Sequence, residues 1–323
     1  MEQRRLGRTD LRVSVLGYGC GAIGGLMVRG EPAEQEKAIG RALDLGVNYF
    51  DTAFVYGEGA SETNLGRTLR ALKVDPIVGT KVRIFDPQRG DIAGTIATSL
   101  EDSLRRLGRD SVDLFQLHNP ITLHGQAPSF TDAQILAEAV PALRRLREQG
   151  KIRHYGITGI GDAAALRHVM DEGGFASAQI PYNLLNPSAA APAPAGMPDL
   201  GQIIDHAASR DVGVIGIRVL AGGALSGSEA RHPVSAQKVE PIASGASYAE
   251  DVAAARRFLP LVEEGHAADL VEAALRFAIG PAGMSLILVG SSSTAEFEHA
   301  AAAVAKGRLP EAALSRIAAL RAP

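Results

Sequence analysis

The sequence predicts a closed (β/α)8 barrel, an α/β TIM-barrel fold with an N-terminal β-hairpin and extra helices or loops. The first observation is alternation: eight short apolar segments, each followed by a helical segment or a helix-containing loop, recur along 323 residues, the pattern of a parallel sheet with crossover helices. The second is how three early strands end. Residues 47–51 end at Asp51, residues 76–80 run into Lys81, and residues 112–117 run into His118. Strand ends of a parallel α/β fold share one face, so these side chains are expected to converge there. The third is continuity, since nothing marks a boundary and residues 1–323 read as one barrel domain.

In chain order, residues 4–14 read as a hairpin around the turn-rich Gly7-Arg8-Thr9-Asp10, flanked by Leu6 and by alternating Leu11, Val13 and Val15. The eight strands are expected at 13–16, 47–51, 76–80, 112–117, 153–158, 178–182, 212–219 and 285–289. Helices are expected at 33–45, stopped by Gly46, and at 61–72, with Ser61 as N-cap. Others are expected at 92–107, ended by Gly108, at 131–148, ended by Gly150, and at 162–170, 200–209, 268–279 and 294–304. A loose Pro/Ala/Gly stretch at 186–198 precedes the 200–209 helix. Residues 221–250, rich in Gly, Ser and Pro, read as one elaborated loop, and such loops inside a compact domain are usually functional.

Bulk properties narrow the function. Hydrophobic residues are 46% of the chain, enough for a large core, and the net charge of −3 argues for neither nucleic acid nor an anionic membrane surface as partner. The one cysteine, Cys20, excludes an intrachain disulfide framework and fits a reducing cytoplasm. Met1 to Arg5 has no signal-peptide character, and no run approaches roughly 18 apolar residues. No metal is called for, and no pattern encodes an oligomeric state.

Gly19-Cys20-Gly21-Ala22-Ile23-Gly24 fits G-x-G-x-x-G after a strand. A dinucleotide fingerprint must open a helix directly, and Gly25, Gly30 and Pro32 delay it, so a flexible first loop is the better reading. Asp51, Tyr56, Lys81 and His118 each have an ordinary structural explanation: a cap, a loop aromatic, a solvated strand end, a core histidine. Four such residues on successive strand ends have convergence on a site as their common reason.

The Phe50-Asp51-Thr52-Ala53 run with Tyr56-Gly57, the lysine at 81 and Leu117-His118-Asn119-Pro120 resemble the aldo-keto reductase superfamily, from Leu6-Gly7 to about Ala300. The resemblance implies carbonyl reduction with a nicotinamide cofactor, NADP(H) or NAD(H), acting on an aldehyde, ketone or sugar. Tyr56 would give the developing oxyanion a hydrogen bond and then a proton. An unperturbed phenol, with a pKa of about 10, is a reluctant acid-base, and a neighbouring ammonium favours phenolate. Lys81 is the implied cation, Asp51 its counter-ion, and His118 a second donor to the carbonyl oxygen.

For the cofactor, the resemblance places Gly19 and Cys20 against it, Gln179 on the nicotinamide amide, and Thr158-Gly159 where the family has Ser-Asn. Thr158 keeps the hydroxyl, and Gly159 has no side-chain amide. Ile217 stands where an aromatic often stacks on the nicotinamide, and Arg218 follows it. Leu220, Ala221, Gly222 and Gly223 match a loop over the pyrophosphate, and Gly290, Ser291, Ser292 and Ser293 the adenosine-phosphate loop, where a helix N-cap is also expected. Phe54, Val55 and Asn119 line the substrate pocket by position in the family. The chain ends soon after Leu320, so a short C-terminal flap is expected. Residues 290–303 contain no Lys or Arg and place Glu296 where a phosphate-binding arginine is expected, so NAD is expected to be accepted at least comparably to NADP. Two other readings stay open: a Schiff-base aldolase using Lys81, and a non-catalytic nucleotide-sensing subunit.

Overall fold

A computed structural model describes residues 1–321. Eight parallel strands close into a barrel: β3 (Leu16–Gly19), β4 (Tyr49–Asp51), β5 (Ile77–Val82), β6 (Val112–Leu117), β7 (Ile152–Thr158), β8 (Ser177–Pro181), β9 (Gly213–Ile217) and β10 (Met284–Val289), with β10 pairing back onto β3. Before it, β1 (Gln3–Arg5) and β2 (Arg12–Ser14) form an antiparallel hairpin.

The first expected strand, 13–16, is thus divided. Residues 12–14 belong to the hairpin and the barrel wall begins at Leu16. The alternating Leu11 and Val13 serve a different surface: with Leu6 they pack into the barrel's lower interior against Tyr49, Leu114, Ile215 and Leu286. The hairpin plugs the barrel floor, and Arg8 N–H tethers it to the Asp211 carbonyl at 2.7 Å.

The outer layer begins with a single turn, α1 (Leu26–Arg29), and α2 (Pro32–Asp44), which starts on a proline whose missing N–H costs nothing at that position. α3 (Ala60–Leu72) starts after Gly59 at φ 93°, not on a Ser61 cap. Ser61 Oγ is taken up elsewhere: it donates to the Cys20 carbonyl at 2.8 Å and lies 2.8 Å from Thr52 Oγ1, joining the first two loops of the upper face. α4 (Ile92–Leu107) is capped by Asp91 and closed by Gly108 in the left-handed region. The expected 131–148 helix is α5 (Asp132–Gln134), a π-helical segment (Ile135–Ala139) and α6 (Val140–Glu148), with Thr131 as N-cap.

α7 (Ala163–Glu172), α8 (Ile203–Ser209), α9 (Tyr248–Arg256), α10 (Pro260–Glu263), α11 (Leu270–Ala278), α12 (Thr294–Ala305) and α13 (Glu311–Arg321) complete the layer. The long loop is ordered at both ends, by a 3-10 segment (Ala221–Ser226) and by α9. The expectations did not include α13. Its Arg321 donates to the Leu184 carbonyl at 2.7 Å and lies over the Phe277 ring. No helix of the described residues is long and apolar enough to cross a membrane.

Candidate active site

Side chains alternate across a strand, so Tyr49 and Asp51 on β4 point into the barrel together, as do Gly79 and Lys81 on β5 and Leu114, Gln116 and His118 on and after β6. Strand pairing sets Asp51 beside Gly79 and Lys81 beside Gln116. Gly79 leaves room for its neighbour, since a Cβ there would lie 2.3 Å from Tyr49 Oη.

Lys81 Nζ, fully buried, lies 2.5 Å from Asp51 Oδ2, donates to the Thr52 carbonyl at 2.9 Å and to Tyr56 Oη at 3.1 Å. The other carboxylate oxygen, Asp51 Oδ1, accepts from Gln179 Nε2 at 2.7 Å and from Tyr49 Oη at 3.4 Å. Every face of the ion pair is met by a hydrogen bond, which a buried pair needs to offset its desolvation. Tyr56 presents its ring edge-on to His118, with centroids 5.9 Å apart at 89°. The four strand-end residues therefore meet in one cluster.

Burial and charge act in opposite directions here. Lys81 is held above its ordinary pKa by the Asp51 carboxylate and Tyr56, against burial. Burial pushes the Tyr56 phenol up, and the Lys81 charge pulls it only part of the way back. Lys81 favours the phenolate and desolvation outweighs it, so the phenol is protonated at neutral pH. Burial, with the charges of Lys81 and Arg83, lowers His118 to about 3, so its imidazole is neutral. A neutral imidazole still carries one N–H to donate.

The cluster opens on a cavity of about 700 Å³, within the range of small-molecule and cofactor sites. Tyr56, His118, Asp51, Val55 and Arg83 line it together with Thr158, Gln179 and Ile217. Arg218, Leu220, Gly222, Gly290, Ser292 and Glu296 continue the wall. Thr158 Oγ1 is buried with no hydrogen-bond partner among the described residues. Arg218 sits at φ 56°, a left-handed conformation rare for a side-chain-bearing residue, and donates to the Glu240 carbonyl at 3.1 Å. The first loop lies against the last: a Cβ on Gly24 would come 2.5 Å from Ser291 N.

Other expected residues have different employment. Cys20 is buried, and burial raises its thiol far above the ordinary range. Ser291 Oγ lies 3.2 Å from Tyr18 Oη, and Ser293 Oγ caps α12 by accepting from Glu296 N–H at 3.2 Å. Asn119 does not reach the cavity: its amide is buried, accepting from Ile84 N–H at 2.8 Å and donating to the carbonyls of Ile84 and Pro128. Those contacts lock the loop after β6 to the end of β5 and leave nothing for a substrate. Phe54 lines an adjoining groove, under the Arg106 guanidinium at 5.0 Å.

Among the lining residues that sequence reasoning missed are Arg83, Arg231, His232 and Tyr248. It also missed Gln116, a buried inward amide whose two polar atoms have no partner among the described residues. A signal existed for two of them: Arg83 stands two residues after Lys81 and Gln116 two before His118, on the same strand faces. The other three come from the long loop, where no periodicity operates.

The model of the aldo/keto reductase family matches residues 15–322. The chain is 31% identical over 313 residues to the L-galactose dehydrogenase of Arabidopsis thaliana, covering 94% of this chain and 88% of that protein. It is 29% identical over 204 residues to the NADH-specific methylglyoxal reductase of Escherichia coli (strain K12), covering 58% of this chain and 60% of that protein. Among solved structures, the holo form of the aldo-keto reductase AKR11C1 from Bacillus halodurans superposes with a TM-score of 0.74 at 25% identity, covering 99% of this chain and 96% of that one.

Proposed function

The chain belongs to the aldo/keto reductase family, oxidoreductases that use NAD(P), and from that we propose that it interconverts an aldehyde, ketone or sugar carbonyl with its alcohol, Tyr56 serving as general acid and base. The observation that carries the reading is the chain from Asp51 through Lys81 to Tyr56 Oη, at 2.5 and 3.1 Å, ending on the cavity beside a neutral His118.

The cavity wall suits a dinucleotide. Thr158 Oγ1 is a buried hydroxyl without a hydrogen-bond partner among the described residues, and Ile217 offers an apolar side chain beside it. The glycines at 19, 222 and 290 line the cavity without side chains, which leaves room for close backbone approach. Thr158, Gln179 and Ile217 would hold the nicotinamide end, and Arg218, Leu220, Gly222 and the 290–292 loop the phosphates and adenosine. When bound, the nicotinamide supplies the hydride that no side chain can.

The protein's own part is to manage charge on the carbonyl oxygen. Tyr56 Oη donates to it and passes over its proton as the alcohol forms. Lys81, kept charged by Asp51, stabilises the phenolate left behind. His118 adds a hydrogen bond without adding charge. In oxidation the same phenolate takes the proton back. A Schiff-base role for Lys81 is disfavoured, because an ammonium held by a carboxylate at 2.5 Å has no free lone pair. The reading on small carbonyl or alcohol substrates rests on the same site, and the reading as a cytoplasmic enzyme on a sequence whose one cysteine allows no intrachain disulfide.

The test is a nicotinamide absorbance assay over aldehydes, ketones and free sugars, in both directions with both cofactors. Turnover that disappears in Tyr56→Phe supports the reading. Tight cofactor binding without turnover across the panel would move it to the nucleotide-sensing alternative.

A further inference from the structure

Resting on the reading of Tyr56 and His118 as the carbonyl-binding end, we propose that Arg83 is a specificity residue for a substrate bearing an anionic group, a carboxylate or a phosphate. Arg83 follows Lys81 by two residues at the top of β5, so its side chain leaves the strand on the same face, one layer above the buried ion pair. There it is half-buried and lines two cavities at once: the one holding Tyr56 and His118, and a groove of about 360 Å³ between Phe54 and one face of α4.

What sets Arg83 apart is that its charge is unanswered. Among the described residues no ion pair and no side-chain hydrogen bond involves it. Every other charge along the groove has a partner. Arg106 Nε lies 2.6 Å from the buried Glu62 carboxylate. Asp91 Oδ1 accepts from Gly94 N–H at 2.8 Å as the cap of α4, and Asp102 pairs with Arg105 one turn on. Within the cluster Lys81 and Asp51 neutralise each other. Asp91 keeps its charge as the cap of α4 and lines only the groove, so among the described residues Arg83 is the cation without an ionic partner that both cavities share. It is close enough to His118 to help hold that imidazole neutral.

A guanidinium offers a planar fork of donors that matches a carboxylate or a phosphate. Half-buried, it is screened less than a surface arginine, so such a contact is worth more than an exposed pair. A substrate whose carbonyl oxygen reaches Tyr56 Oη can run its far end past Arg83 into the groove. The class expected is an aldehyde or ketone with a terminal carboxylate or phosphate, rather than a neutral one.

The test compares matched substrates on the protein with its nicotinamide cofactor: benzaldehyde, 4-carboxybenzaldehyde and glyceraldehyde 3-phosphate, for wild type, Arg83→Gln and Arg83→Lys. In the wild type kcat/KM is expected to be higher for 4-carboxybenzaldehyde than for benzaldehyde. Arg83→Gln should lower the ratio of charged to uncharged kcat/KM by about 10- to 100-fold, mainly through KM, with Arg83→Lys in between. A larger loss on the phosphorylated aldehyde than on the carboxylated one assigns the phosphate, and the reverse the carboxylate. Equal losses on all three, or a wild type that favours benzaldehyde over both charged substrates, overturns the proposal. If none of the three is turned over, it is the functional reading that fails on this panel. Calorimetric titration of benzoate against benzyl alcohol into the cofactor-loaded protein then decides the anion site: binding of benzoate lost in Arg83→Gln upholds it, and no preference for benzoate overturns it.

Discussion

Glu296 turns its carboxylate back onto the backbone N–H of Ser292, which it meets at 2.7 Å. With Ser293 capping the same turn, the N-terminus of α12 is closed by its own side chains. The helix end is an anion site by nature, and here the anion is built in. Arg231, the nearby cation from the long loop, is engaged with the carbonyls of Gly222 and Ala236. Oxidised NAD is therefore expected to bind at least as tightly as oxidised NADP. Glu296→Gln should improve NADP affinity about tenfold, roughly 1.4 kcal/mol, with little change for NAD. Dissociation constants at fixed ionic strength check this. A wild-type preference for NADP above about 100-fold, or 2.7 kcal/mol, would sink it.

Tyr56→Phe keeps the ring's edge against His118 and loses only the hydroxyl that Lys81 meets at 3.1 Å. Turnover should fall by roughly 10²–10³ from the lost donor alone, with a further factor of about 10²–10⁴ from the lost acid-base step. Cofactor affinity should hold. Activity within a few-fold of wild type would exclude Tyr56 as the proton donor.

Lys81→Met has two separable consequences. It leaves the Asp51 carboxylate buried without its cation, which should destabilise the fold by about 3–5 kcal/mol in urea unfolding. Adding Asp51→Asn should recover part of that loss. It also removes the cation that touches Tyr56 Oη and opposes its burial, so in the folded variant the pH optimum for alcohol oxidation should move upward. An unchanged profile would show that Lys81 does not tune the phenol.

His118 carries a stability signature. In the unfolded chain it titrates near its ordinary 6.5, and in the fold near 3. The unfolded state therefore takes up the proton first, and this contribution to stability, full above pH 6.5, is lost as pH falls towards 3. His118→Asn should lose less stability than wild type between pH 7.5 and pH 5. Equal losses in the two proteins would mean that His118 is not held neutral.

The barrel was legible because two periodicities repeat eight times, and a strand reads the same wherever its partners lie. Asp51, Lys81 and His118 were legible for the same reason, as ionisable residues breaking apolar runs at strand ends. Val13 shows where this stops: its alternation is real, but it faces the barrel floor from a hairpin instead of forming the wall. Asn119 shows it again, since its place after His118 suited a pocket residue, and the fold employs its amide to hold Ile84 and Pro128.

By itself the sequence determined the eight-stranded barrel and the order of its strands, the strand ends that carry Asp51, Lys81 and His118, and the absence of a basic residue from 290–303. These are properties of local pattern and spacing. Only the tertiary structure decided how charges are answered. It paired Lys81 with Asp51 and Arg106 with Glu62, set Glu296 on the α12 N-terminus, and left Arg83 between two cavities without an ionic partner among the described residues. It also decided that burial outweighs the lysine at Tyr56. Desolvation and Coulomb energies depend on distance and on everything packed around a group, and neither is carried by the order of residues along a chain.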